Sequence, residues 1–336
     1  MAFEVEYNSP EQRESKVDWD ALNKYTIETA GLQLPETLAG VVVGIVDLGK
    51  QEQSDAEVVF VGTSEDEAKW IEDNPNTYFK DGIDQQTKKR ARLKCWPVKP
   101  TQCVAVAVDF PDIMLDKGQF FDNPDAEQKP LRMWLGNQFY TQGVGQVVAS
   151  PTTLKVTNLN KSGEKGKEVW SLPTTNLFYK MAVASKLIEP GQAFDPSRID
   201  EVLGQSYQFQ AQIYMRKAPD GKEYMTEKIK FIGSLGRGQA VPENSTEPFL
   251  VQFNRINSEE ALKQLRSHVV NTIKQSTTYE GSAVQKQLEK SKTPVKAPET
   301  VSPASTPAPA PKPAAKSVKT PAKAPPADSD DSDIPF

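Results

Sequence analysis

The sequence is short of the groups on which most enzymes depend. It has one histidine, His268, and two cysteines, Cys95 and Cys103, in 336 residues. A lone histidine gives no support to Ser-His-Asp or Cys-His nucleophilic catalysis. Two cysteines and one histidine fall short of a closed zinc site, and no metal or cofactor is expected. The cysteines suggest no disulfide framework, so a reducing cytoplasm is the expected compartment. The pattern GxxxxGK[ST] does not occur, which excludes nucleotide hydrolysis by that device. No run of 18 apolar residues exists, so no membrane-spanning helix is predicted. Residues 1–10 hold acids and no apolar run, and fit neither a signal nor a transit peptide. Large apolar groups run out late in the chain, with no aromatic residue between Tyr279 and Phe336.

What replaces them there is proline and charge. Residues 291–326 contain ten prolines, six lysines and one glutamate. Such a segment cannot offset its ordering entropy, and a disordered linker is predicted. Semi-extended at about 3 Å per residue, it has a reach on the order of 100 Å. Residues 327–336 form an acidic tip in which Asp328, Asp330, Asp331 and Asp333 lead into Ile334, Pro335 and Phe336. The tip has the makings of a docking peptide. Its ring fills an apolar slot, its terminal carboxylate pairs with a basic residue, and the aspartates reach further cations. Pro335 limits the backbone entropy lost on docking. A terminal Asp-Ile-Pro-Phe arises by chance at roughly one in 10^5 on uniform usage.

This end resembles the acidic tip of bacterial single-stranded DNA-binding proteins, which finish in an aspartate run followed by Ile-Pro-Phe. The resemblance covers the last ten or so residues and the tether-plus-tip layout. It implies recruitment of replication, recombination or repair proteins through the tip. Residues 1–290 do not resemble that family's DNA-binding domain and are much longer. A bacteriophage protein with a host-like tail, working in the host cytoplasm, fits the mismatch.

Net charge is −5, and the linker and tip nearly cancel, so the body is acidic. Screening confines each charge to about 8–10 Å, so an acidic body still binds DNA if its cations share one face. Pattern therefore decides. An N-terminal extension (1–36), with a short helix starting near Asp18, precedes a body over 37–257. Strands are predicted at 41–46, with 57–61 as its partner, and at 90–96, 103–110, 131–135 and 153–158. A brief helix is expected at 64–72 and a second at 174–188, on a stripe of Leu177, Met181, Ala184 and Leu187/Ile188. Strands 206–216 and 224–232 flank Pro219-Asp220-Gly221 and form a hairpin. Ser258 caps a helix through Gln275 in a C-terminal segment, 258–290. Its apolar stripe either buries in the body or faces a second subunit, which leaves oligomeric state open.

Alternation inside the strands points to function. Tyr207, Phe209, Ala211, Ile213 and Met215 make one face; Tyr214 and Arg216 lie on the other, among glutamines. Across the hairpin, Tyr224, Lys228 and Lys230 face out. Arg132 and Trp134 oppose Leu131, Met133 and Leu135. Arg90, Arg92, Lys94 and Trp96 oppose Ala91, Leu93 and Cys95. Cations offset phosphates and flat rings stack bases without reading them, which suits single-stranded nucleic acid. Many short strands, one interrupting helix and a glycine-bent first strand suggest a mainly β chain with added helices, an OB-type barrel with long insertions. The expected function is non-enzymatic coating of single-stranded DNA. A rival from the enzyme class is a metal-dependent nuclease using Asp109, Asp112 and Asp116 at a strand end. The other rival is an adaptor that binds proteins alone.

Overall fold

The computed structural model describes residues 17–290 apart from 54, 85, 122–125, 136, 141–146, 151, 161–165, 219–220 and 244–245, with backbone alone for 137–140 and 147–150. The linker and the tip lie outside the described residues. Helix α1 (Trp19–Ala30) starts where Asp18 accepts from the Ala21 amide at 2.9 Å, and stops at Gly31 in the left-handed region. Strand β1 (Glu36–Gln51) follows and is buried along most of its length. Its near-continuous Val41–Val46 run is explained by apolar layers on both faces of the sheet.

After β1 the chain makes an excursion. Strand β2 (Ala56–Val59), helix α2 (Ser64–Asp73), strand β3 (Tyr78–Ile83) and strand β4 (Arg90–Trp96) form a separate three-stranded sheet ordered β2-β4-β3 with its own helix. The segment 57–61 was expected to pair with 41–46 and instead pairs with β4. The partners of β1 are longer and more apolar: β5 (Thr101–Leu115) on one side and β12 (Ser206–Lys217) on the other. A strand as exposed as β2 would leave the buried faces of β1 without cover.

From β5 the main sheet passes to β6 (Lys129–Leu135). Two ribbons then lead off: β7 (Asn137–Tyr140) with β8 (Val147–Ser150), and β10 (Thr157–Asn158) with β11 (Trp170–Ser171). The strand predicted at 153–158 is not one strand. Its start, in β9 (Thr152–Thr153), pairs with β5, and its end belongs to the second ribbon. Helix α3 (Leu177–Ala184) is shorter than predicted. The Asn176 side chain caps its start, and at its end Lys186 takes a positive φ. The hairpin of β12 and β13 (Glu223–Ser234) holds as expected, with Gly221 at φ 84 in the turn. A three-residue strand, β14 (Phe249–Val251), runs parallel to β1.

The main sheet is open and largely antiparallel, ordered β13-β12-β1-β5-β6. One face carries the larger core, in which Val42, Val106, Phe110, Met133, Phe209 and Ile213 meet Ile27 of α1 and Met181 of α3. The other face is covered by α4 (Glu259–Lys263), α5 (Ser267–Lys274) and α6 (Ala283–Lys290). Ser258 caps α4 as predicted, but the single helix to Gln275 breaks at Arg266, which is extended. The stripe of that segment buries in the body: Val269 and Ile273 are core, with Leu262 and Leu265 packed against them. No helix among the described residues is long and apolar enough to cross a membrane.

Candidate nucleic-acid interface

The hairpin carries the first group of predicted residues. In β12 the inward parity, Tyr207 to Ile213, is fully buried, and the opposite parity is partly or fully exposed. Register sets Arg216 opposite Tyr224, Gln212 opposite Lys228 and Gln210 opposite Lys230. Lys228 and Lys230 are exposed, and Lys228 Nζ lies 5.5 Å from the Tyr214 ring centre. Cations and rings thus share one face because they occupy one parity of two paired strands.

The second group sits on the small sheet. Arg90, Arg92, Lys94 and Trp96 share one face of β4, as their parity requires. Arg92 is spoken for. Its guanidinium forms a two-pronged contact with Glu67 of α2, at 2.7 and 2.9 Å, and reaches Asp81 at 3.1 Å. That contact holds the Glu67 carboxyl below the usual carboxylate range. Lys94 Nζ lies 3.8 Å from the ring centre of Trp70, on α2, and 5.8 Å from that of Trp96. Trp70 stands on an acidic surface helix that begins Ser64-Glu65-Asp66-Glu67, where no strand parity points to it. Its signal was its own incongruity on so polar a stretch.

Two expected site residues are placed elsewhere. Trp134 is only 5% exposed and belongs to the second core, edge-on to His268 with ring centres 6.1 Å apart. Arg132 donates twice to the fully buried Asp109, at 2.7 and 2.9 Å, and once to Gln264 at 2.6 Å. Both were expected to face solvent. The alternation in 131–135 is real, but the second face lies beneath the C-terminal helices rather than water. The predicted single track therefore resolves into two patches on two sheets, without Arg132 and Trp134.

The acidic cluster does not converge. Strand β5 runs on past Pro111 to Leu115, with a register shift against β6 between Phe110 and Met114, so Asp109 is not at a strand end. It is buried and bound to Arg132, while Asp112 is exposed and Asp116 accepts from the Gly118 amide at 3.2 Å. Among the described residues no three His, Cys, Asp or Glu side chains stand close enough to hold a metal ion. Burial pushes the Cys103 thiol up to about 11, far from a thiolate nucleophile. The tip residues Asp328, Asp330, Asp331, Asp333, Ile334, Pro335 and Phe336 lie outside the described residues.

No protein-family model, no curated protein and no solved structure matches this chain.

Proposed function

We propose that this chain is a non-enzymatic protein that coats single-stranded DNA without sequence preference, on an OB-type barrel, and recruits replication, recombination or repair proteins through residues 327–336. A phage origin accords with a host-like tail on an unfamiliar body. The observation that carries the DNA reading is the outward face of the β12–β13 hairpin, where Tyr214, Arg216, Tyr224, Lys228 and Lys230 stand together. Phosphates meet the cations and unpaired bases stack on the rings.

Strand order supports the barrel. In an OB-type barrel the first three strands meander and the last two form a hairpin, the fourth beside the first and the fifth beside the third. Here β1, β5 and β6 are the meander, and β12 and β13 the hairpin, with β12 beside β1. The helix α3 falls between the third and fourth strands. The junction between third and fifth strands is the open one. It is bridged by Arg266, which binds Glu227 of β13 at 3.0 Å and donates to the backbone carbonyl of Arg132 in β6. The loops such folds use for oligonucleotides, between strands one and two and between four and five, correspond to the small-sheet excursion and the hairpin tip. One patch lies in that excursion, and the other runs along the hairpin strands from Lys230 to Arg216 and Tyr224 beside the tip.

Adding poly(dT) to the full chain should quench tryptophan fluorescence, with an affinity that falls steeply with salt. A gel shift should favour single- over double-stranded DNA. No quenching and no shift at low salt would remove the DNA half of the proposal and leave a protein-binding adaptor.

A further inference from the structure

We propose that Trp70 of α2 is a base-stacking residue acting with Trp96 across Lys94, and that Arg92 serves it as a positioning residue rather than as a phosphate contact. This rests on the single-stranded DNA reading and deepens it.

Four of the five tryptophans keep much of their surface in water: Trp19 at 52%, Trp70 at 42%, Trp96 at 36% and Trp170 at 59%. Tryptophan is on average a well-buried residue, so each exposed ring asks for a reason. For Trp70 the ordinary one fails, because α2 buries none of its ten residues. Its ring contributes nothing to either core. Instead it shares with Trp96 the ammonium of Lys94, which sits 3.8 Å from one ring centre and 5.8 Å from the other. Two rings flanking one cation match a short stretch of unpaired strand, with bases on the rings and phosphate on the charge.

The helix is held in register for this arrangement. Thr63 and Asp66 close a capping box at its start. Arg92 then ties Glu67, three residues before Trp70, to the floor of the sheet with two hydrogen bonds and reaches Asp81 with a third. Two carboxylates already offset its charge, so a phosphate would have to displace them. Lys94 instead sits against the two rings.

The test uses the full chain, poly(dT) and a series of salt concentrations. Trp70→Ala should weaken binding between about five- and a hundred-fold at every salt concentration, with an unchanged salt slope. Trp70→Phe, which keeps a stacking face, should recover most of the loss. Lys94→Met should lower the slope by roughly 0.7, the value for one phosphate on a single strand. Arg92→Met should mimic Trp70→Ala, with the slope intact. Because Trp70 belongs to neither core, the urea midpoint of Trp70→Ala should stay close to the parent's and exclude misfolding as the cause. If the parent protein binds and Trp70→Ala binds equally well, the stacking role is wrong while the DNA reading stands. A slope that drops by roughly 0.7 in Arg92→Met makes Arg92 a phosphate ligand and overturns its positioning role. Absence of binding by the parent overturns the reading and this proposal together.

Discussion

His268 is the residue through which the second core senses protons. Burial, with the nearby Arg266 guanidinium, depresses its pKa from 6.5 to about 4, against an opposing pull from Glu227. In the unfolded chain the imidazole protonates near pH 6.5, and in the folded protein near pH 4. Between those values the unfolded state binds the extra proton. The stabilisation is therefore complete above about pH 6.5 and is lost as pH falls toward 4, on the order of 3 kcal/mol in all. The chain has one histidine, so its imidazole signal in a proton NMR titration needs no assignment. A midpoint near 6.5 in the folded protein would contradict the burial argument. His268→Gln should flatten the acid limb of the stability curve. At the same scale, Arg132→Met leaves Asp109 buried and without its partner. Breaking such a pair costs about 3–5 kcal/mol, to be measured as the urea unfolding free energy. The folded fraction should bind poly(dT) with an unaltered salt slope, since Arg132 points to Asp109 and Gln264.

Among the elements, β1 depends most on a side chain that is absent. A Cβ on Gly44 would lie 2.2 Å from the Phe249 ring, so β14 approaches β1 through a gap that only glycine leaves. Gly44→Ala should destabilise by about 1–3 kcal/mol through overpacking. Adding Phe249→Leu should lose less than the two changes summed, a coupling that a double-mutant cycle reads directly. Simple additivity would place the strain elsewhere. The elements that were legible in the sequence have one wet face and one dry face. The β12–β13 hairpin shows this best, since Pro219-Asp220-Gly221 marks its turn and parity separates Phe209 from Gln210. The bounds of β4 follow from the same contrast. Where a third layer intervenes, alternation misleads: Arg132 and Trp134 repeat the cation-and-ring pattern of Lys94 and Trp96, yet helices far along the chain cover them. Strand β3 was missed because Lys80, Asp81 and Gly82 are poor strand formers, and only pairing with β4 holds them extended. The contact of Trp70 with Lys94 is not legible in the sequence, because the two lie 24 positions apart and meet only through the fold.

For the whole molecule, the proposed function makes the tip's four aspartates competitors of phosphate for the same cations, one electrostatic scheme. Deleting residues 327–336 should leave poly(dT) affinity equal or higher and abolish capture of partner proteins. Weaker DNA binding after deletion would contradict the scheme. The open junction of the main sheet has its own consequence. Strands β1 and β5 are laddered on both sides, so their amides exchange with deuterium only when the sheet unfolds as a whole. At the β6–β13 edge, Arg266 bridges the two strands by one side chain. Amides there should exchange through local parting, ahead of those of β1 and β5, and Arg266→Met should speed them.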